Sequence, residues 1–307
     1  MLKIIDLFAG IGGIRMGVEK AYGKQNVECV FTSEINKFSI NTYKANYNNE
    51  TVHGDIHEVD AKYIADHDLL LGGFPCQAFS IAGKGLGFED ARGTLFFEIA
   101  RILKDKKPKA FLLENVKKLV THDKGNTFKV IITTLEDLGY KVFYKVLKAR
   151  DFGIPQNRER IFIVGFLDHS INFDFPEPTG IKTRVGDILE DNVSDKYTIS
   201  DKLWLGHQKR KENNKKNGKG FGYQMVTHES AYTGTISARY NKDGSEILIY
   251  QDGKNPRKLT PREAARLQGF PDDFSIPVSD SQAYKQFGNS VCVPVIEAIA
   301  NRIKQYV

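Results

Sequence analysis

A single cysteine stands in a setting that suits chemistry better than packing. Cys76 lies in the stretch GGFPCQAFSIAGKG, directly behind a proline and ahead of a loop rich in glycine. The chain has two other cysteines, Cys29 and Cys292, and no two of the three form a CxxC pair. An odd number of widely spaced cysteines argues against a disulfide framework or a zinc ribbon and favours a reducing compartment. Cys76 is therefore either an inert loop thiol or a nucleophile.

A carboxylate, Glu114, ends another apolar segment, in the sequence LLENV. Cys76 and Glu114 each follow an apolar run typical of a strand that is buried on both faces of a parallel sheet. The carboxyl ends of such strands meet at one edge, where open α/β sheets bind their ligands. At that edge Glu114 could protonate a substrate beside a thiolate, and the alternative is a glutamate that caps a turn.

A glycine-rich turn, DLFAGIGG, follows the first predicted strand and leads into a helix. Such a turn lets a cofactor approach the backbone at a helix N-terminus. Arg15 occupies the third glycine position of a GxGxxG pattern, which argues against a dinucleotide pyrophosphate. Glu34 is placed to bind a ribose, and Asp55 could bind the amino group of an adenine. These residues fit a nucleoside cofactor without a pyrophosphate, such as S-adenosylmethionine, and the alternative is a set of ordinary turns and caps.

The elements that must position these residues alternate between strand and helix as far as Phe166. The predicted strands are KIIDLF, ECVFTSE, VHGD, DLLLGG, KAFLLEN, KVFYKVL and RIFIVGF. The predicted helices are Gly13–Tyr22, NKFSINTYKANY, TLFFEIARILK and Thr127–Leu138. In the third of these helices the helical spacing of Leu95, Phe96, Ile99 and Ile102 predicts core positions. The alternation predicts a doubly wound α/β sheet.

The alternation stops after FDFPEPTG, which indicates a domain boundary. From there to about Asn255 the sequence is polar and predicts irregular, loop-like structure. Within it the run His207–Gly220 holds six Lys or Arg against one Glu. Such a run is either a solvated loop or an arm that contacts phosphates. Helix resumes in LTPREAARLQGF, with Thr260 as N-cap and Pro261 at the first helical position, and again in SDSQAYKQF and near the C-terminus.

Composition bounds the function without naming it. With 307 residues, 41% of them apolar, the chain can bury a core in one large domain or two smaller ones. No run of eighteen apolar residues predicts a membrane span, and the N-terminus lacks the features of a signal peptide. A net charge of +6 permits a polyanionic partner without requiring one.

These segments together resemble the DNA cytosine-C5 methyltransferases, in particular the small prokaryotic modification enzymes. The motifs occur in the family's order over nearly the whole chain: DLFAGIGG, GDI, GGFPCQAFS, ENV, QNRERIFIVGF, RKLTPREAARLQGFPDDF and QAYKQFGNSV. Two positions depart from the pattern. Asn36 stands where the family commonly has an acidic residue, and Ile35 stands where some members have an aromatic residue against the adenine.

The resemblance implies a fold and a domain division. The fold is α/β, with a doubly wound, mostly parallel sheet of the S-adenosylmethionine-dependent methyltransferase type and a smaller, irregular target-recognition domain. The catalytic and cofactor-binding domain is expected to be discontinuous, with residues 1–178 and 284–307. The recognition domain is expected at residues 179–283.

The resemblance also assigns roles to residues. The catalytic residues are expected to be Cys76, Glu114, Arg158 and Arg160. The expected contacts of S-adenosyl-L-methionine are Phe8, Gly10, Gly12, Gly13, Glu34, Ile35, Asp55, Ile56, Pro75, Leu95, Asn289 and Ser290. The expected DNA contacts are Gln77, Ser80, Lys84, Lys209, Arg210, Lys211 and Arg239.

The family's chemistry explains these residue types. Carbon 5 of cytosine becomes nucleophilic only when the Cys76 thiolate adds at carbon 6. Glu114 then protonates N3, Arg160 holds O2, and Arg158 helps orient the acid and the loop. The cytosine must leave the duplex stack to reach this site. The recognition segment looks most like the EcoRII and Dcm type, which methylate the inner cytosine of CCWGG or CCNGG.

The resemblance further implies a cytoplasmic monomer that binds double-stranded DNA and needs neither a metal nor a membrane. The resemblance is compatible with a cognate restriction endonuclease encoded nearby, and it implies no physical complex with that enzyme. Two alternatives stay open: a tRNA cytosine-5 methyltransferase and a DNA-binding regulator without catalysis. A regulator would be expected to have lost Cys76, Glu114 or Arg160, and all three are intact.

Overall fold

The computed structural model describes residues 1–48, 50–75 and 95–307. Four predicted site residues lie outside these ranges: Cys76, Gln77, Ser80 and Lys84. The chain divides into two compact units. Unit 1 consists of Met1–Leu147, Glu159–Glu177 and Val295–Val307, and unit 2 consists of Lys148–Arg158 and Pro178–Pro294.

Unit 1 is built around a six-stranded sheet. Its strands are β1 (Leu2–Leu7), β2 (Val27–Ser33), β3 (Leu69–Gly73), β4 (Ala110–Val116), β5 (Lys141–Lys148) and β6 (Glu159–Phe166). They lie in the order β2-β1-β3-β4-β6-β5. The first four strands of this order pair in parallel, whereas β6 runs antiparallel to β4. The predicted α/β fold is therefore confirmed, with a mixed sheet.

The helices are α1 (Gly13–Tyr22), α2 (Lys37–Asn46), α3 (Leu95–Lys106), α4 (Asn126–Asp137), α5 (Asp201–Lys216), α6 (Tyr240–Asp243), α7 (Pro261–Arg266), α8 (Asp280–Asn289) and α9 (Val293–Ile303). The predicted core positions of α3 are confirmed, because Phe96, Ile99 and Ile102 are buried and Leu95 packs against the same core. α9 packs on α1, since a Cβ added at Gly17 would lie 2.5 Å from the Ile296 side chain. Among the described residues, no helix has both the length and the apolar character needed to cross a membrane.

Unit 2 contains a short parallel pair of strands, β7 (Met225–Val226) and β8 (Leu248–Ile249). The predicted start of α7 is confirmed, with Thr260 as N-cap and Glu263 completing a capping box. Glu263 is fully buried and forms a bidentate ion pair with Arg257, at 2.7 and 2.8 Å. Each charged group is therefore hydrogen-bonded to the other, as the burial of an ion pair requires.

Two predictions of local structure are wrong. The basic run was predicted to lie in irregular structure, but much of it belongs to α5, whose N-cap Ser200 accepts a hydrogen bond from the Leu203 N–H. Only His207 of this helix is buried, so the sequence carries no apolar periodicity to reveal it. The predicted strand VHGD is a single bridge between His53 and Ser33, because Asp55 already caps a 3₁₀ turn.

The buried carboxyl group of Asp6 gives the fold a pH dependence. Asp6 lies at the end of β1 and is 1% exposed, and neither carboxylate oxygen has a hydrogen-bond partner among the described residues. Burial raises the pKa of Asp6 from 3.8 to about 7. The folded protein therefore holds this proton more tightly than the unfolded chain does. The resulting stabilisation is complete below pH 3.8 and is lost as the pH rises through about 7.

We expect Asp6→Asn, which cannot titrate, to gain stability relative to the unmodified protein as the pH rises. Between pH 5 and pH 8 the difference in free energy of unfolding should shift in favour of the variant by about 3 kcal/mol. Urea denaturation of both proteins at several pH values measures this difference. Two profiles that run parallel would show that Asp6 does not hold its proton in the folded state.

Candidate active site

The strand register brings the predicted chemical groups to one edge of the sheet of unit 1. Leu7, which precedes the glycine turn, pairs with Gly72 at the end of β3. The next residue of β3, Gly73, pairs with Glu114 on β4. Gly73 also lies beside the carboxylate, because a Cβ added there would be 3.7 Å from Glu114 Oε2. The glycine turn and the start of the PCQ segment therefore follow β1 and β3, and Glu114 lies near the end of the neighbouring β4.

The glycine turn has a shape that depends on left-handed backbone angles. Phe8 and Gly10 both have φ of 56°, and Gly12 has φ of 81°. The Gly10 N–H donates to Glu34 Oε2 at 2.8 Å, and the Asn36 N–H donates to Oε1 at 2.7 Å. A carboxylate has about four acceptor positions, so Glu34 retains capacity for two further donors. Gly13, which is buried, begins α1 directly after this turn.

The neighbouring predicted cofactor contacts divide into exposed and buried side chains. Ile35 is 72% exposed, which is unusual for a large apolar residue. Asp55 is exposed, and its pKa is lowered by a hydrogen bond from the backbone of His57 and by one from the His57 ring. Ile56 is buried. Pro75 is exposed and Leu95 is half-buried.

Glu114 and Arg160 form a buried ion pair. The Arg160 Nε lies 3.0 Å from Glu114 Oε1, with side-chain exposures of 16% and 11%. Burial lowers the pKa of Arg160, and the charge and hydrogen bond of Glu114 oppose that shift. A second donor, Nη1 of Arg160, is directed to the Glu159 carbonyl at 2.8 Å. Because a guanidinium has five N–H groups, Arg160 has donors left for a ligand.

Asn115 is a residue that the sequence interpretation missed. It is 2% exposed, and its Nδ2 donates to the Phe74 carbonyl at 2.8 Å. Its Oδ1 accepts from the Val116 N–H at 2.8 Å. Asn115 therefore ties the end of β4 to the backbone two residues ahead of Cys76. The motif ENV was the only sequence signal for Asn115, and a role was assigned only to the glutamate of that motif.

In unit 2, the side chain of Arg158 links two segments by hydrogen bonds to their backbone carbonyls. This residue is 2% exposed and donates to the carbonyls of Ile236 at 3.0 Å, of Gly288 at 3.1 Å and of Ser290. Its partner segments are therefore the stretch TISARY and the end of α8. Asn289 is exposed and Ser290 is half-buried. Arg158 belongs to unit 2, whereas Glu114 belongs to unit 1.

The predicted DNA contacts of α5 differ in how their charges are used. The guanidinium of Arg210 is committed to Asp243 at 3.0 Å, to the His207 ring at 2.8 Å and to the Gly222 carbonyl. The ammonium of Lys211 lies 4.2 Å from the centre of the Tyr223 ring. Lys209 is exposed, as is Arg239 ahead of α6.

Residues 2–305 match the family described as C-5 cytosine-specific DNA methylase. The chain is 66% identical to the type II methyltransferase M.NlaX of Neisseria lactamica, over 99% of this chain and 96% of that protein. It is 67% identical to the type II methyltransferase M1.ScrFI of Lactococcus lactis subsp. cremoris, over 98% of this chain and 77% of the relative.

Solved structures of low sequence identity share the fold. The Entamoeba histolytica methyltransferase EhMeth superimposes with a TM-score of 0.82 at 22% identity, covering 99% of this chain and 98% of that one. The S. pombe Dnmt2 methyltransferase superimposes with a TM-score of 0.78 at 21% identity, covering 97% and 96%. The family match covers nearly the full length of this chain. It agrees with the relatives above 60% identity. The chain therefore belongs to the family of C-5 cytosine-specific DNA methylases and is a DNA (cytosine-5-)-methyltransferase.

Proposed function

We propose that this enzyme methylates carbon 5 of a cytosine within a short duplex site, using S-adenosylmethionine and a covalent adduct with Cys76. The observation that carries the proposal is the buried pair of Glu114 and Arg160 at the end of β4. Gly73, three residues ahead of Cys76 in the chain, pairs with Glu114. An acid with a neighbouring cation next to the start of the PCQ segment is what addition to a cytosine ring requires.

The residues of the glycine turn fit S-adenosylmethionine. The carboxylate of Glu34 holds the Gly10 N–H and has acceptor capacity left for ribose hydroxyls. The exposed side chain of Ile35 offers an apolar surface for an adenine face, and the ionised Asp55 can accept from the adenine amino group. Because Arg15 occupies the third glycine position, the turn lacks the GxGxxG pattern that binds a pyrophosphate. When bound, the cofactor supplies an electrophilic methyl group.

The residues of the chain prepare the cytosine for that methyl group. Bond formation between Cys76 Sγ and carbon 6 breaks the C5–C6 double bond and makes carbon 5 nucleophilic. Glu114 delivers a proton to N3, which neutralises the negative charge that the addition creates. Arg160 donates to O2 with its remaining N–H groups. After methylation, N3 returns its proton to Glu114 and a base takes the proton from carbon 5. The electron pair of that C–H bond re-forms the C5–C6 double bond as the Cys76 thiolate leaves.

Duplex DNA must open for this chemistry to occur. Glu114 is only 9% exposed, so a base that remains stacked in a duplex cannot reach its carboxylate. Flipping the cytosine out costs a few kcal/mol, which contacts to the DNA must offset. We assign those contacts, and the target-recognition role, to residues 179–283. The resemblance of TISARYNKDGSEILI to the EcoRII and Dcm type supports CCWGG or CCNGG as the site, with methylation of the inner cytosine.

Bisulfite sequencing of DNA from a host without cytosine methylation tests this function. Expression of the chain should protect the inner cytosine of CCWGG or CCNGG from conversion by bisulfite. Expression of Cys76→Ser should protect no cytosine. Protection within another motif would contradict the assigned site alone. Methylated tRNA with unmethylated DNA would support the tRNA enzyme, and DNA binding without methylation would support the regulator.

We expect the exposed lysines of α5 to contact phosphates, and Arg210 to act within the protein. The triple variant Lys209→Gln, Lys215→Gln, Lys216→Gln should weaken binding to all duplexes. It should also reduce the slope of log affinity against log salt by about three, one for each lost contact. Arg210→Gln should leave the slope unchanged, because its guanidinium is already paired with Asp243.

Fluorescence anisotropy with a labelled duplex, measured across a salt series, gives the slope. A matched control replaces Lys20, Lys24 and Lys104, which are exposed lysines of unit 1, with glutamine. The control has the same change in net charge but should change the slope by less than one. Equal slopes for the two triple variants would mean that α5 is a solvated helix and that only net charge matters.

A further inference from the structure

We propose that Arg15 and Tyr47 are positioning residues that hold the glycine turn in the shape the cofactor requires. This inference rests on the proposed use of S-adenosylmethionine. Neither residue belongs to the predicted cofactor contacts, and Arg15 entered the sequence interpretation only as a departure from a glycine pattern. The structure gives it a purpose, because its side chain joins α1 to the end of α2 behind the turn.

Arg15 is the centre of a buried polar cluster in unit 1. Arg15 is 5% exposed, and its Nε donates to Glu19 Oε1 at 2.6 Å. Its Nη2 donates to Glu50 Oε1 at 2.9 Å, and its Nη1 donates to the Tyr43 hydroxyl at 3.0 Å. Burial alone would lower the pKa of Arg15, but the hydrogen bond that it donates to Glu50 and the nearby acidic groups raise it above its usual range. The guanidinium is therefore a fixed cation with a fixed orientation.

That cation holds the ring of Tyr47. The guanidinium carbon of Arg15 lies 4.2 Å from the centre of the Tyr47 ring, within the range of a cation–π interaction. Tyr47 is 2% exposed. Burial raises its pKa well above the usual value, so its hydroxyl stays protonated and remains a donor. Glu50, whose carboxylate accepts from Arg15, lies three residues after Tyr47, and its N–H donates to the Tyr47 carbonyl at 3.0 Å.

Tyr47 in turn fixes the glycine turn. Its hydroxyl donates to the Gly12 carbonyl at 2.7 Å. The ring packs so close to Gly12 that an added Cβ would lie 2.3 Å from Tyr47 Cε2. Gly12 has φ of 81°, and its N–H donates to the Ala9 carbonyl at 2.8 Å. The contact with Tyr47 therefore selects the left-handed conformation that turns Gly10 and its N–H toward Glu34.

The contacts form one series from Arg15 through Tyr47 to Gly12, and this order predicts how variants combine. A turn that is held before the cofactor arrives binds it without the cost of ordering the loop. Loosening the turn should weaken cofactor binding while leaving the rate of methyl transfer at saturating cofactor nearly unchanged, because Glu114 and Arg160 lie on other strands. A general loss of folding stability would instead affect both cofactor binding and the rate of methyl transfer.

Isothermal titration of the DNA-free protein with S-adenosylmethionine and with S-adenosylhomocysteine measures the binding step without turnover. We expect Tyr47→Phe, which removes only the hydroxyl bonded to Gly12, to raise both dissociation constants about tenfold. Arg15→Lys, which keeps the charge but loses the two-carboxylate geometry, should have a similar effect. The double variant should also show about tenfold rather than a hundredfold, because the two residues act in series. The value of kcat should stay within about twofold of the unmodified enzyme.

Tyr140→Phe is the matched control. Tyr140 is a buried tyrosine of unit 1 whose hydroxyl donates to a backbone carbonyl, that of Pro108, at 2.9 Å. Its variant should lower the melting temperature as Tyr47→Phe does, but leave both dissociation constants unchanged. Equal effects of the two variants on the dissociation constants, or unchanged cofactor binding in Tyr47→Phe and Arg15→Lys, would overturn the inference.

A further variant separates this inference from the proposed function. Asp55→Ala should weaken binding of S-adenosylmethionine whether or not Arg15 positions the turn, because Asp55 is assigned a direct contact. If Asp55→Ala binds the cofactor weakly while Tyr47→Phe binds it normally, the function stands and the positioning role is wrong. If the unmodified protein binds neither S-adenosylmethionine nor S-adenosylhomocysteine, the proposed cofactor is wrong, and the positioning role is wrong with it.

Discussion

The buried ion pair between Glu114 and Arg160 is the interaction on which the proposed site depends. An isolated guanidinium in this position would be costly, and the carboxylate 3.0 Å away offsets much of its desolvation. The antiparallel pairing of β4 with β6 makes the contact possible, because Val116 lies opposite Arg160 and Glu114 lies opposite Phe162. Glu114 and Arg160 are thus diagonal neighbours on one face, within reach of long side chains. If β6 ran parallel to β4, the first residues of β6, Arg160 among them, would lie at the opposite edge of the sheet.

The same edge of the sheet holds carboxylates in three environments, and environment separates their roles. Asp55 is exposed and its hydrogen bonds from His57 favour the ionised form, so it can accept hydrogen bonds from a ligand. Glu34 is half-buried and holds two backbone N–H groups, so it both shapes the turn and retains acceptor capacity. Asp6, behind the turn, is fully buried and holds its proton up to about pH 7. Proximity to solvent, more than residue type, decides what each carboxyl group can do.

The sequence was sufficient where local chemistry determines structure, and insufficient where distant contacts do. α1 was predicted at Gly13–Tyr22 because a glycine turn marks its start, and the Thr260 cap was predicted from a short-range pattern. α5 was missed because a helix with one buried residue has no stripe. The hydroxyl of Tyr47 on Gly12 joins residues 35 positions apart, and Arg210 pairs with Asp243 across 33 positions. No spacing rule contains such pairs, so the contacts of Arg15 and Arg210 could be found only in the folded chain.

The most direct test of the account is to trap the adduct of Cys76 on a duplex with 5-fluorocytosine at the target. Release of the enzyme needs a proton to leave carbon 5, and fluorine cannot leave as a cation, so the thioether should persist through denaturation. The account predicts an adduct that requires S-adenosylmethionine, that mass spectrometry locates at Cys76, and that Cys29→Ser and Cys292→Ser still form. An adduct on a peptide without Cys76, or full methylation by Cys76→Ser, would contradict the account.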